Sequence, residues 1–189
     1  MAMESLEDVL IDELKDIYNA ESQIIKALPK MAKAASSPEL QDAFREHLTQ
    51  TRGQVERLDE VFKLLGESPG RKKCVGMEGL IEEGGELIEK KKQADPAALD
   101  AALIGAAQKV EHYEIAAYGT ARTHAQILGK KDVANLLQET LDEESETDKR
   151  LTELAQGSIN EQAAEAEEEE ETPRRGGRRT RGAGGNITL

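Results

Sequence analysis

The sequence predicts an all-α protein, an up-down four-helix bundle with one extra short crossover helix, and three observations carry that reading. Apolar residues recur at steps of three and four through four long stretches, the spacing of one helix face. Aromatic residues are scarce, with no tryptophan, two phenylalanines and three tyrosines. The core must therefore be Leu, Ile, Val and Ala, which suits close helix packing better than a sandwich of sheets. Capping residues, prolines and glycines stand where the periodic stretches begin and end.

Ser5 with Asp8 three residues on resembles a capping box and opens the first long helix. Its apolar series runs through Leu6, Val9, Leu10, Leu14, Ile17, Ile24, Leu28 and Met31, with Pro29 expected to kink it near its end. Ser37 before Pro38 is a cap followed by proline at the first helical position. The second helix then follows Leu40, Phe44, Leu48, Val55, Leu58, Phe62 and Leu65 until Gly66 stops it.

Glu67 to Cys74 holds Pro69, Gly70 and three consecutive basic residues, so it is a connector. Met77 to Lys92 is a shorter helical pattern weakened by Gly79, Gly84 and Gly85. A segment of this length can cross the bundle and let the flanking long helices run in the required directions. Asp95 and Pro96 start the third long helix, which continues from Leu99 to Leu128 and Gly129. The fourth runs from Val133 through Leu137, Leu141 and Leu151 to Leu154, ending near Gly157. These elements define a helical domain over residues 1–157.

Residues 158–189 differ in composition: an acidic run, Glu167 to Glu171, precedes Pro173 and an Arg-Gly segment, Arg174 to Arg181. Such a segment cannot bury enough apolar area to offset its ordering entropy, so a disordered tail is expected. Its arginines suit weak contact with RNA or an acidic surface. Without aromatics for stacking, a solubilising tail whose arginines fold back on the acids is the plainer reading.

The net charge of −13 argues against a body that binds nucleic acid, which needs a basic surface to neutralise phosphate. One cysteine, Cys74, excludes an intramolecular disulfide and fits a reducing compartment. Met1 to Leu14 has acids where a secretory signal would be basic and then apolar. No stretch approaches the roughly 20 apolar residues of a membrane span, so the cytoplasm is the expected location.

The chemistry lies on the oily faces of the long helices. Glu21 falls between Ile17 and Ile24, Glu114 between Val110 and Ala117, and Glu144 between Leu141 and Leu151 with Asp148 one turn on. His47 and Gln54 flank Leu48 and Thr51, and Glu111 shares a face with Glu114 three residues later. Burying an unpaired carboxylate is costly, so a buried acid has a cation, a proton or a hydrogen-bond partner. Several acids converging in one bundle most economically share a metal ion. Carboxylate oxygens suit iron, manganese or magnesium, and a neutral imidazole favours a transition metal. The plainer reading of any single seam acid is that it snorkels at the edge of its helix face. The Glu-x-x-His motif of di-iron bundles is absent.

Three segments carry a resemblance: Asp12 to Glu21 (DELKDIYNAE), Cys74 to Glu83 (CVGMEGLIEE) and Lys109 to Thr120 (KVEHYEIAAYGT). They resemble the YciF-like family of bacterial stress proteins over roughly Met3 to Gln156. The resemblance implies a ferritin-like fold, a homodimer and a metal site of up to two ions. The matching residues are Glu21, His47, Gln54, Glu111, Glu114, Glu144 and Asp148. Iron is the first expected metal and manganese the second, with oxygen- or peroxide-linked redox chemistry. The family carries an acid just after the His-Leu of the second long helix, where this chain has Thr49 and Gln50, so a full pair of ions is not implied. The first long helix also shows more apolar surface than one seam requires, an excess that a second subunit would cover. The alternative is a metal-independent scaffold or adaptor dimer, in which the seam polar residues set helix register and the tail recruits partners.

Overall fold

A computed structural model describes residues 3–171. The long helices are α1 (Leu6–Ala34), α2 (Pro38–Leu65), α4 (Pro96–Ile127) and α5 (Lys131–Leu154), with the shorter α3 (Val75–Glu89) and α6 (Asn160–Glu171). A 3₁₀ turn, Lys90–Lys92, follows α3, and a π-helical segment, Ala155–Ile159, joins α5 to α6. The described residues contain no strand.

Local chemistry sets the helix boundaries. The Ser5 hydroxyl accepts from the Asp8 N–H at 3.1 Å while the Asp8 carboxylate accepts from the Ser5 N–H at 2.9 Å, a complete capping box. Ser37 and Asp95 cap α2 and α4 ahead of their prolines. Gly66 closes α2 at φ 70°, a left-handed conformation that glycine adopts without a Cβ clash. Pro29 lies inside α1, which continues as α-helix to Ala34.

α1 packs on α2 and α4, and α5 packs on α4 and α2, closing a ring in which neighbours are antiparallel. α3 lies outside the ring against α1 and α4. It is the crossover that lets α2 and α4, on opposite corners, point the same way. Asp100 fixes the register of that corner: its carboxylate accepts from the Ser36 N–H at 2.8 Å and the Ser37 N–H at 2.7 Å, tying the α1–α2 turn to the start of α4. At the other end Lys130 pairs with Glu7 at 2.8 Å. Of the apolar residues that make up the excess on the first helix, Leu10, Leu14, Ile17, Ile24 and Leu28 are buried within the chain, and Ile25 is partly exposed.

The fourth helical stretch does not end at Gly157. Ile159 is 2 % exposed and belongs to the core, and α6 packs on α4. The expected boundary between body and disordered tail is therefore passed. The π-helical step reorients the chain so that Ile159, beyond the Gly157 break, reaches the bundle. Residues 172–189, including the Arg-Gly segment, lie outside the described residues.

The core has two apolar halves. One gathers Ile24, Leu28, Leu40, Phe44, Met77, Leu103 and Leu151 near the α1–α2 turn. The other gathers Leu10, Leu14, Leu58, Phe62, Tyr118 and Leu137 at the opposite end. Between them every long helix turns polar residues inward: Glu21 on α1; His47, Thr51 and Gln54 on α2; Glu111 and Glu114 on α4; Thr140 and Glu144 on α5.

Candidate metal centre

This polar layer is the candidate site. Glu21 and Glu144 are 0 % exposed, Glu111, Glu114 and Gln54 1 %, and His47 4 %. One donor atom from each of His47, Glu111, Glu114 and Glu144 lies within 4.8 Å of the other three. Donors on one tetrahedral ion with bonds of about 2.1 Å stand about 3.4 Å apart, so the four side chains have to draw inward to share an ion.

Their hydrogen bonding is incomplete. Both oxygens of Glu114, both ring nitrogens of His47, Oε2 of Glu111 and Oε2 of Glu144 are buried without a partner. Buried polar atoms are almost always satisfied, so this many orphans facing one point fit a missing cation or protons. Burial pushes the Glu111 and Glu114 carboxyls well above the usual range, with the charges of Glu144 and Glu21 adding to it. Burial raises Glu144 to about 7. It also depresses His47 to about 4, so the imidazole is neutral and its 3.3 Å approach to Glu111 is not an ion pair. A neutral imidazole with three carboxylates is a donor set suited to iron(II), manganese(II) or zinc(II).

Glu21 and Gln54 flank these four. The Tyr118 hydroxyl donates to Glu21, and burial followed by the Glu144 charge holds the Glu21 carboxyl well above its ordinary pKa. The Gln54 amide donates to Glu144 and, at 3.1 Å, to Glu143. Arg57 in turn donates to Glu143 at 2.8 Å and to Thr140 at 2.7 Å. Arg57 and Glu143 belong to no motif, and the one sequence signal for Arg57 is its place one turn after Gln54 on the same helix.

Asp148 is not brought into the group of four. Its side chain is 22 % exposed and accepts from Gln108 at 3.1 Å, with His112 at 3.5 Å. One turn beyond Glu144, it has moved round α5 toward α4 and the surface. Thr49 is exposed, so an acid there would face solvent, whereas Gln50 sits beside His47 and accepts from Thr147 at 3.4 Å. Beside the group of four, Gln50 and Gln54 thus offer amides, which bind a divalent ion less strongly than carboxylates.

Two clefts reach His47 and Glu111 from different sides. One, of about 240 Å³, opens between α1, α3 and α4; the other, of about 230 Å³, opens between α2, α4 and α5 and is rimmed by Glu46, Glu146 and Arg150. Cys74 stands apart from the centre. Its buried thiol bonds the Tyr113 hydroxyl at 3.0 Å, and burial pushes its pKa up, the reverse of activation. Gly76 allows that arrangement, because a Cβ there would meet the Tyr113 ring at 2.9 Å.

An antiparallel four-helix ring with a crossover helix and a buried carboxylate–imidazole layer at mid-height defines a ferritin-like bundle. Residues 5–164 match the family described as a domain of unknown function (DUF892), and the chain belongs to that family. Protein YciF of Escherichia coli strain K12 is 51% identical over 164 residues, covering 86% of this chain and 98% of that protein. The crystal structure of the E. coli stress protein YciF superposes with a TM-score of 0.80, covering 84% of this chain and 99% of that one. YcfI of Rhodopseudomonas palustris gives 0.75 at 44% identity, with 79% and 94% covered.

Proposed function

We propose that this protein is a stress-related metal-binding protein that holds a transition-metal ion in the polar layer, iron first and manganese second, in service of oxygen- or peroxide-linked redox chemistry. The observation that carries the reading is the convergence of four buried donors from α2, α4 and α5, each with at least one buried atom unpartnered. Iron held by carboxylates would supply electrons to oxygen or peroxide there. His47 offers a neutral nitrogen; Glu111, Glu114 and Glu144 give up their protons to bind; Gln54 and Tyr118 hold Glu144 and Glu21 in orientation. The two apolar halves of the core flank the layer, and the burial of its side chains strengthens each charge interaction inside it.

Elemental analysis of purified protein, before and after anaerobic ferrous loading, tests this. Near one ion per chain is expected, and less than about a tenth after loading would sink the reading, because a site of this donor set binds tightly. A metal-independent scaffold is the second reading. It is favoured by the internal hydrogen bonds that Gln54 and Tyr118 already give the acids, and it requires a melting temperature indifferent to metal and chelator.

A further inference from the structure

The cleft between α1, α3 and α4 has a chemistry distinct from the polar layer it reaches. Its walls are apolar, formed by Ile24, Leu28 and Met31 of α1, Leu80 and Ile88 of α3, and Val110 of α4. His47 and Glu111 close the inner end, and both present buried atoms without a partner. At the rim stand Lys26 and Lys30, one helical turn apart and exposed, neither in an ion pair among the described residues.

Gly84, Gly85, Ala106 and Ala107 are among the cleft's lining residues, and Gly84 packs on α4, where a Cβ would meet the Ala106 Cβ at 4.0 Å. Interior helix glycines are unfavourable relative to alanine. Neither has a positive φ, and a Cβ on Gly85 would meet nothing within 4 Å. Neither backbone geometry nor packing requires Gly85, whereas an open cleft does.

We propose that this cleft binds a medium-chain carboxylate, its head at Lys26 and Lys30 and its chain end against His47 and Glu111, which makes such amphiphiles the ligand class of the metal centre. The proposal rests on the metal-binding reading for that last step alone. A cavity of about 150 Å³ accommodates benzene, so 240 Å³ holds about nine or ten non-hydrogen atoms, the size of octanoate. Oxygen or peroxide alone would need far less room. A polar ligand of this size would leave its groups unpaired along the walls. The paired lysines select a negative head locally, against the field of a chain of net charge −13.

The test is calorimetric titration of sodium octanoate into the metal-free full-length protein. A Kd of order 0.1 mM is expected for a ligand of this size. Gly85→Leu fills the cleft and should weaken binding at least tenfold. Leucine is the better helix former, so its melting temperature should hold or rise. Lys26→Glu with Lys30→Glu should weaken octanoate severalfold and leave octanol unchanged. No binding up to about 5 mM, fifty times the expected Kd, or equal affinity in Gly85→Leu, overturns the proposal. In cobalt(II)-loaded protein, octanoate should change the visible spectrum; saturation without a change would overturn the link to the centre. If the protein takes up no metal while octanoate binds as described, the metal reading falls and the amphiphile site stands.

Discussion

Glu114 buries both carboxylate oxygens without a hydrogen-bond partner, deep between Glu21, Glu111 and Glu144. Glu114→Gln keeps the shape and removes the charge that a cation needs. Metal affinity should fall at least tenfold by titration, while the metal-free melting temperature holds or rises, because crowded carboxylates repel one another. Equal metal content in the variant and the parent would defeat the site. The same crowding predicts a pH dependence. A carboxyl whose folded pKa is raised contributes stability that is present below its unfolded pKa, near 4.3, and lost as pH rises through the folded value. For Glu144 that value is about 7, and Glu21, Glu111 and Glu114 are also shifted upward. His47, depressed to about 4, acts in the opposite sense, but only below its unfolded pKa near 6.5. The metal-free protein should therefore melt lower at pH 8 than at pH 6.5. Saturating metal, which replaces the protons, should remove or reverse that difference.

At the scale of elements, Asp100 is the residue that periodicity could not reveal. Its place on α4 reads as one more polar position, yet it is 3 % exposed and receives two backbone N–H groups from the α1–α2 turn. Asp100→Ala leaves both donors unsatisfied and should cost about 2–4 kcal/mol in denaturant unfolding, without altering metal stoichiometry. The end of α5 departs from sequence expectation for a related reason. Gly157 and the acids that follow look like a terminus, but a π-helical step brings Ile159 into the core and α6 onto α4. Deleting Asn160 to Leu189, neutral on the sequence reading, should instead lower the melting temperature by several degrees, because it strips the cover from Ile159 and α4. An unchanged melting curve would show that α6 adds nothing to the bundle.

For the molecule as a whole, the split core is the organising feature. Two apolar halves supply the burial that holds the ring, and the layer between them spends part of that stability on buried acids. A ligand that binds only the folded state raises stability in proportion to its own affinity. A homodimer is proposed on the family resemblance, and exposed Leu64 and Ile127, at the ends of two parallel helices, are apolar surface for such a contact. Sedimentation at micromolar concentration should give twice the chain mass, and a monomer would end the idea. No described helix is long and apolar enough to cross a membrane.

The sequence by itself determined the four long helices, the crossover and the inward phase of Glu21, His47, Gln54, Glu114 and Glu144. Helix periodicity and caps are local, and an acid between two apolar residues of one stripe must face the core. Glu111, placed by its spacing on the face of Glu114, is as buried as Glu114, with His47 of α2 against it. Asp148 shared the phase of Glu144 but fell outside the cluster, since four residues advance the helix past a full turn and its neighbours set where the side chain rests. Tertiary structure alone decided which donors meet within 4.8 Å, which remain unpartnered, and that an apolar cleft ends on His47 and Glu111. Those are distances between helices, and they follow from packing rather than from spacing along any one chain segment.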